Sequence, residues 1–208
     1  MSLSASSGVS GPRPRGAADG GSAVPGVRDR ILAAAYELFS TRGVRSVGVN
    51  ELISRSGVAK ASFYRHFASK DELVLAFLAR RDQQWTLDKI VSEALRRGTK
   101  PEEQLLAIFD VFADWFARED FEACSFVNVL LEMGPRHPLG KASIDYLAKI
   151  RGHVQHLAEQ ARLRDPEEFS RSCHILMKGS IVSAAEGDLA AAGRARQMAG
   201  WLIDHHRV

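Results

Sequence analysis

The sequence VNELISRSGVAKASFYRHFASKDEL, residues 49–73, sets the architecture expected for this chain. Its first apolar residues form one short helical stripe, which Gly57 interrupts. A second short helix follows, and its phenylalanines Phe63 and Phe67 lie four residues apart and face inward. The pattern therefore predicts two short helices that are joined by a tight glycine turn.

The outer face of the second helix carries basic and hydrogen-bonding side chains beside small ones. A helix with such a surface fits the major groove of DNA, where the base edges present donors and acceptors. A helical hairpin with a solvated basic face is the alternative that spacing alone leaves open. The outward residues are Lys60, Ala61, Ser62, Tyr64, Arg65 and His66.

The individual residues of this hairpin resemble the signature of the tetracycline-repressor (TetR) family of bacterial one-component regulators. That signature runs Gly-Val, then a short helix with Tyr-x-x-Phe, then Ser-Lys-x-x-Leu. The matching residues are Gly57, Val58, Tyr64, Phe67, Ser69, Lys70 and Leu73. The resemblance implies a helix-turn-helix DNA-binding domain at residues 27–70 on a helical effector-binding and dimerisation body at residues 71–208.

The resemblance assigns contacts with the DNA backbone to two matching positions, Tyr64 and Lys70. The Tyr64 hydroxyl can donate to a phosphate oxygen, and Lys70 adds a charge at the positive end of the following helix. Lysine and arginine can also donate to guanine at the base edges. The candidates for base contact are Lys60, Ala61, Ser62 and Arg65, and the further phosphate candidates are His66, Arg45 and Asn50.

Two positions depart from the family pattern. Many members have Ser or Thr where this chain has Gly48 and Ala59, at the caps of the two hairpin helices. Glycine is an acceptable cap, whereas alanine is a poorer cap than serine by about 1 kcal/mol. We therefore expect no side-chain contact with phosphate at these two positions.

Charge is distributed unevenly along the 208 residues, whose net charge is +3. Residues 26–81 contain ten Lys or Arg and five Asp or Glu, which gives +5. Residues 82–208 contain sixteen Lys or Arg and nineteen Asp or Glu, which gives −3. The basic segment is the one that contains the hairpin, as contact with phosphate requires.

Several classes of protein do not fit the composition. No apolar run approaches the roughly 20 residues of a membrane span, and no signal peptide is evident, so we expect a cytoplasmic protein without membrane partners. The two cysteines are too few for a disulfide framework. The seven histidines are scattered, and the usual nucleophile, phosphate-loop and paired-carboxylate motifs are missing. We expect no catalytic residue, no metal site and no cofactor.

Residues 1–26 are rich in Gly, Ser, Ala and Pro, which predicts a disordered tail. Arg13 and Arg15 in this tail are candidates for an arm that reaches a minor groove, and an inert tail is the alternative. Apolar periodicity then predicts a helix over residues 28–42 that packs across the hairpin.

Further helix starts are predicted from caps. Ser69 with Glu72, and Thr99 with Glu102, have the spacing of capping boxes. Asp165 precedes a Pro-Glu-Glu start and is expected to cap another helix. Because no segment has the period of a strand, the predicted fold class is all-α.

The body contains more aromatic and methionine residues than a slim bundle needs, which suits an adaptable apolar pocket. Ordinary core is the alternative for each residue. The predicted effector-binding residues are Phe109, Phe112, Trp115, Phe116, Phe126, Asn128, Met133 and Met177. The candidates for orienting a ligand by hydrogen bonds are Cys124, Asn128 and His174.

The last two helices are rich in small and aliphatic residues. Two such helices can meet their symmetry mates in a four-helix dimer interface, which is how the family dimerises. The alternative is burial against the rest of the same chain. The small residues of this pair are Gly179, Ser180, Ala184, Ala191 and Ala195.

The resemblance and the basic hairpin together predict a homodimeric DNA-binding transcriptional regulator. We expect a repressor that a small, largely apolar ligand releases from a palindromic operator. The alternative is a helical ligand-binding or protein-interaction module whose head keeps the fold but has lost affinity for DNA.

Overall fold

The computed structural model describes residues 26–208, so the predicted tail, with Arg13 and Arg15, lies outside the described residues apart from Gly26. The described residues form nine helices and no strand, which confirms the all-α prediction. The first three are α1 (Val27–Arg42), α2 (Val49–Ser56) and α3 (Lys60–His66). The fourth, α4, is one continuous helix of three segments: Lys70–Arg81, the π-helical segment Asp82–Val91, and Ser92–Arg97. The others are α5 (Pro101–Phe116), α6 (Ser125–Met133), α7 (Pro138–Gln160), α8 (Pro166–Ala185) and α9 (Ala191–His206).

Helices α1, α2 and α3 enclose a small apolar core. Leu52 of α2 and Phe63 of α3 are both fully buried. Gly57 ends α2 with φ at 62°, in the left-handed region that favours glycine, and thereby turns the chain into α3. The tight glycine turn predicted for the hairpin is confirmed. The buried residues of this core are Ile31, Leu32, Ala35, Phe39, Val44, Val47, Leu52, Phe63 and Phe67.

Helix α4 begins at a capping box and connects the head to the body. The Ser69 hydroxyl accepts a hydrogen bond from the Glu72 amide at 3.1 Å, and the Glu72 carboxylate accepts one from the Ala68 amide at 2.7 Å. These bonds satisfy amides that the first helical turn leaves free. The next turns pack into the same core as the head, through Leu73, Val74, Phe77 and Leu78.

The capping box predicted at Thr99 and Glu102 is wrong by one residue. The Glu103 carboxylate accepts hydrogen bonds from the amides of Thr99 at 2.9 Å and Lys100 at 3.2 Å. The first helical residue is the proline that follows Lys100, and this makes Glu103 the third residue of the helix. Glu102 instead pairs at 2.6 Å with Arg207, which directly follows α9.

Asp165 occupies the predicted N-cap position, but the capping hydrogen bond expected from its side chain is missing. Asp165 precedes α8, but its φ is 46° and its side chain makes no capping hydrogen bond. Asp tolerates this left-handed conformation better than most residues do. The turn is held instead by the end of α9, because the Arg164 amide donates to the His206 carbonyl at 2.7 Å.

Some large apolar residues of the body lie on the surface. Ile144 of α7 is 38% exposed, whereas Leu147 and Val154, further along the same helix, are buried. Leu189 and Met198, near and in α9, are 59% and 47% exposed. Exposed apolar side chains of this kind are common on folded proteins.

The small residues of α8 and α9 mainly pack within the chain. Ser180, Ala184, Ala191 and Ala195 are all buried, and they let α8 and α9 approach each other closely. This supports the intrachain alternative for these four residues. Throughout residues 26–208, every helix is too short or too polar to cross a lipid bilayer.

The head core makes a direct prediction about stability. Leu52→Ala removes a fully buried side chain and should lower the free energy of unfolding by roughly 2–5 kcal/mol. Leu75→Ala makes the same change on α4 at a residue that is 40% exposed, and should cost much less. Chemical denaturation of both variants measures the difference. Equal losses would contradict the assignment of Leu52 to the core.

Candidate functional site

The outer face of α3 presents a continuous group of polar side chains. Lys60, Ala61, Tyr64 and Arg65 are exposed, and their spacing is that of one helix face. Phe63, on the inward face, is fully buried and anchors the helix to the head. The side chain of Tyr64 is 44% exposed, and its ring packs edge-on against Phe63 with 5.4 Å between the centroids.

The other predicted DNA-binding residues surround this face at the ends of neighbouring elements. Ser62 and His66 of α3 are half-exposed, and the Ser62 hydroxyl lies 3.4 Å from the Arg65 guanidinium. Lys70 is the first residue of α4 and is half-exposed. Arg45, in the turn before α2, and Asn50 of α2 are both exposed.

The positively charged side chains of the head fall into two groups, those that form ion pairs and those that have no carboxylate partner among the described residues. Ion pairs join α1 to α2, from Arg42 to Glu51 and from Arg55 to Glu37, and Arg80 lies 3.7 Å from the Asp29 carboxylate. The charges of these three arginines are therefore balanced by carboxylates of the head.

The cations of α3 and its edges are different. Among residues 26–208, no carboxylate lies within ion-pair distance of Lys60, Arg65, Lys70 or Arg45. Their counterions are therefore free to be released when a polyanion binds. Uncompensated positive charge therefore lies on the face that the sequence predicted for DNA, and Arg28 and Arg30 of α1 add two further arginines without a carboxylate partner in the described part of the chain.

The two departures from the family pattern lie at the positions that were predicted. Gly48 and Ala59 are the N-cap residues of α2 and α3, and neither cap has a side-chain hydrogen bond. The amides at both helix starts lack a capping side chain. The α2 and α3 termini therefore keep backbone donors that can reach phosphate oxygens.

Glu132 connects the body directly to the turn that leads into α2. Its carboxylate, at the end of α6, accepts a hydrogen bond from the Val44 amide at 2.8 Å and another from the Arg45 amide. Gly43 makes this approach possible, because a Cβ there would lie 3.1 Å from Glu132 Oε2. The sequence carried no signal for this contact, since the partners are 88 residues apart.

The predicted effector-binding residues do not all meet in one place. Phe109, Phe112, Trp115 and Phe116 are buried along α5 and pack against one another, with ring centroids 5.7–6.1 Å apart. Phe126 belongs to the head core and stacks on the Tyr146 ring of α7 at 5.1 Å.

The remaining three predicted residues also lie apart. Met133 is half-buried beside the head core, and Asn128 is exposed on α6. Met177 of α8 is buried and lines a cavity in the body. The orienting candidates Cys124 and His174 line a smaller cavity beside it.

The larger cavity has a volume of about 230 Å³ and lies between α4, α5, α7 and α8. Most of its lining is aliphatic, where the sequence had suggested aromatic residues. Polar side chains at its boundary include Thr86, His153 and Gln160. The main apolar contributors are Ile90, Ala94, Ile108, Ile150, Val154 and Leu157.

The smaller cavity is about 30 Å³ and shares Thr86, Ile90, Ile150 and Met177 with the larger one. Phe112 and Trp115 of the predicted set line it. Sequence reasoning missed Thr86 and the aliphatic residues, because their spacing matches ordinary helical core. No feature of the sequence reveals a cavity that arises from the packing of four helices.

The Arg81 guanidinium is buried beside this cavity among aromatic rings. It lies 4.8 Å from the Trp85 ring centroid and 5.9 Å from that of Trp115, and it donates a hydrogen bond to the Tyr36 hydroxyl. Its nearest carboxylate is Glu122, at 3.9 Å. Cation–π contacts and this carboxylate compensate the buried charge.

His174 is 3% exposed and remains neutral at physiological pH. Burial, with the positive charges of Lys178 and Arg151, lowers the pKa of its imidazole to about 4. Across residues 26–208, no group of three or more His, Cys, Asp or Glu side chains is arranged to hold a metal ion.

Comparisons with known proteins agree with the geometry of the head. Residues 31–77 match the family model of bacterial regulatory proteins, tetR family. The HTH-type transcriptional activator FasR of Mycolicibacterium smegmatis is 38% identical over 95 residues, which are 44% of this chain and 41% of FasR. In that match the chain therefore spans about two fifths of the length of FasR.

Two longer matches extend over the body. Transcriptional regulator AcuR of Cereibacter sphaeroides is 26% identical over 182 residues, which cover 83% of this chain and 80% of AcuR. The crystal structure of a TetR-family transcriptional regulator from Streptomyces coelicolor has a TM-score of 0.78 and 24% identity. The match covers 86% of this chain and 95% of the Streptomyces coelicolor chain, which shows that the two share a fold.

A helix-turn-helix head with an exposed basic helix, on a helical body, is an architecture found in DNA-binding regulators. Residues 31–77 of the chain match the tetR family of bacterial regulatory proteins, and the described residues share the fold of a TetR-family regulator. The matching family model describes bacterial regulatory proteins.

The contact between Glu132 and the turn before α2 can be tested by amide exchange. Glu132→Ala removes the acceptor for two backbone donors, so the Val44 and Arg45 amides should exchange faster with solvent. NMR-detected hydrogen exchange measures both amides. Glu119→Ala, at an exposed position of the body, is the control. Unchanged exchange in the Glu132 variant would contradict the contact.

His174 should make stability depend on pH. Its pKa is about 4 in the folded protein and near 6.5 when unfolded, so between these values the unfolded chain binds more protons. The free energy of unfolding should therefore fall as pH decreases from about 6.5 to 4, by about 2–3 kcal/mol from this group. His174→Gln should remove that part of the pH dependence, measured by denaturation at several pH values.

Carboxylates of the protein also titrate in this pH range, so the test compares the pH profiles of two histidine variants with that of the unmodified protein. His156→Gln changes an exposed histidine of the neighbouring helix and should keep the pH profile of the unmodified protein. A His174→Gln profile parallel to that of the unmodified protein would contradict the lowered pKa.

Proposed function

We propose that this protein is a homodimeric repressor that binds a palindromic DNA operator and is released by a small, mainly apolar ligand. The observation that supports DNA binding most directly is the sorting of charge in the head. Lys60, Arg65 and Lys70 have no carboxylate partner among the described residues, whereas Arg42 and Arg55 do. Free cations on an exposed helix suit a polyanionic groove.

Each side chain of this face has a proposed role. Lys60 and Arg65 donate to guanine at the base edges, and Ala61 allows close approach. Tyr64 and Lys70 contact the phosphate backbone. Four further residues support the same interface as base or phosphate contacts, namely Ser62, His66, Arg45 and Asn50.

The proposed division of the chain places the DNA-binding domain at residues 27–70 and the effector-binding and dimerisation body at residues 71–208. The head core extends beyond this boundary, because Phe77 and Leu78 of α4 belong to it. Phe126 of α6 belongs to it as well. The two proposed domains therefore share an apolar contact through which they can influence each other.

A homodimer through α8 and α9 is supported by exposed apolar side chains on both helices. Ile175 and Val182 of α8 are 64% and 52% exposed, and they are seven residues apart, on one face. Met198 and Trp201 of α9 are 47% and 60% exposed. Large exposed apolar groups mark interaction surfaces. A two-fold dimer would present two α3 helices to a palindromic site.

Ligand control is proposed through α4. This helix begins beside α3 at Lys70 and lines the larger cavity with Thr86 and Ile90. A ligand that binds better to one position of α4 would change the spacing of the two heads and lower the affinity for the operator.

The sign of regulation is part of the proposal. FasR is by name an activator. For this chain we propose repression, in which the bound head blocks transcription in the cytoplasm until the ligand releases it. A reporter placed behind the operator distinguishes the two signs, because deletion of the regulator raises expression under repression and lowers it under activation.

The DNA interface is tested by fluorescence anisotropy on the duplex directly upstream of the gene for this protein, with a scrambled duplex alongside. Tyr64→Phe and Lys70→Ala should weaken binding to both duplexes. Lys60→Ala and Arg65→Ala should each reduce discrimination between the duplexes by roughly 1–3 kcal/mol.

Arg171→Ala is the control, since Arg171 is an exposed arginine of the body that pairs with Glu167. Its binding should equal that of the unmodified protein. Unchanged binding in all four head variants would refute the interface.

A further inference from the structure

The two adjacent cavities of the body meet at Thr86, which lines both of them. Thr86 is 2% exposed, and its hydroxyl has no hydrogen-bond partner among the described residues. A threonine hydroxyl can turn between staggered positions by rotation about the Cα–Cβ bond, so it can serve either cavity.

Two other buried polar atoms at the smaller cavity also lack a partner in residues 26–208. They are Nδ1 of His174 and Nε1 of Trp85. Nearly all buried polar groups in folded proteins are hydrogen-bonded. Three unpaired groups around one cavity therefore indicate a place for a ligand that can pair with them.

The backbone in this region is unusual as well. Trp85 and Thr86 lie in the π-helical segment Asp82–Val91 of α4. π-Helical turns are rare, and they occur frequently at functional sites. The segment places both side chains against the cavities on the helix that leads to the head.

The buried charged groups nearby have partners of opposite charge. Arg81 is held by the Tyr36 hydroxyl and by Glu122, and the Asp82 carboxylate lies 3.7 Å from Lys149. Lys178 also lines the smaller cavity, but it is half-exposed and can keep its ammonium in water. The three groups that line the smaller cavity without a hydrogen-bond partner among the described residues, in Trp85, Thr86 and His174, are all neutral.

From these observations we infer that the effector is a neutral, mainly apolar molecule with one ketone or alcohol oxygen, which Thr86 and His174 bind. The inference rests on the proposed function and names the chemical class of its ligand. A volume of about 230 Å³ accommodates roughly eight non-hydrogen atoms at about 30 Å³ for each water-sized group. The aliphatic lining would enclose the hydrocarbon part.

The test uses calorimetry of the full chain at pH 7 with three probes of similar size: 2-octanone, 2-octanol and octanoate. The ketone and the alcohol should bind and raise the melting temperature. Octanoate should bind at least about tenfold more weakly, because a carboxylate would lose its hydration inside the cavity while the ammonium of Lys178 stays in water. Tighter binding of octanoate, or binding of none of the three, would overturn the inference.

The polar contact is tested by Thr86→Val, which keeps the shape of the side chain and removes the hydroxyl. Affinity for the ketone and the alcohol should fall about five- to tenfold, as expected for the loss of one hydrogen bond. Thr41→Val is the matched control, since the hydroxyl of Thr41 bonds to the Glu37 carbonyl on the exposed side of α1. Equal affinities in the two variants would overturn the role of Thr86.

His174→Leu provides a second variant should Thr86→Val fail to fold, and it should also lower ketone affinity, because leucine has no hydrogen-bonding group. Operator binding, measured without probe, separates the two proposals. Normal DNA binding without ketone or alcohol binding would refute the ligand class alone. Ketone binding without DNA binding would refute the proposed function and keep the ligand class.

Discussion

The apolar contact along α4 is the interaction on which the rest of the structure depends. Leu73, Val74, Phe77 and Leu78 are buried in the same core as the residues of α1, α2 and α3, and residues of α6 and α7 complete that core. The head therefore shares its apolar core with helices of the body and is not joined to them by a flexible linker. Because interiors pack tightly, a displacement of α4 has to be transmitted to the head.

The hairpin could be predicted from sequence because its determinants are local. Gly57, the inward phenylalanines and the Ser69 capping box act over a few residues, and the structure has all of them. Cap positions in the body were less secure, since a shift of one residue moved the box from Glu102 to Glu103. Asp165 shows that the N-cap position alone does not guarantee a capping bond.

The cavity could not be predicted, because it depends on how four helices pack. The aromatic row of α5 suggested a pocket, yet Phe109 and Phe116 fill the core, and the larger space is lined by aliphatic residues of α4, α5, α7 and α8. The π-helical segment and the Glu132 contact likewise join parts of the chain that no short motif relates. Long-range packing determines these features, whereas local propensity determines the hairpin.

Selection of duplexes from a random-sequence pool tests the central claim most directly, because it does not depend on where the operator lies in the genome. A two-fold dimer whose α3 helices read the major groove predicts an enriched inverted repeat, with half-sites separated by about one helical turn or a multiple of it. Binding to that repeat should weaken steeply as salt increases. Enrichment of no sequence would contradict the claim that the outer face of α3 reads DNA, and a single unrepeated site would contradict the dimer.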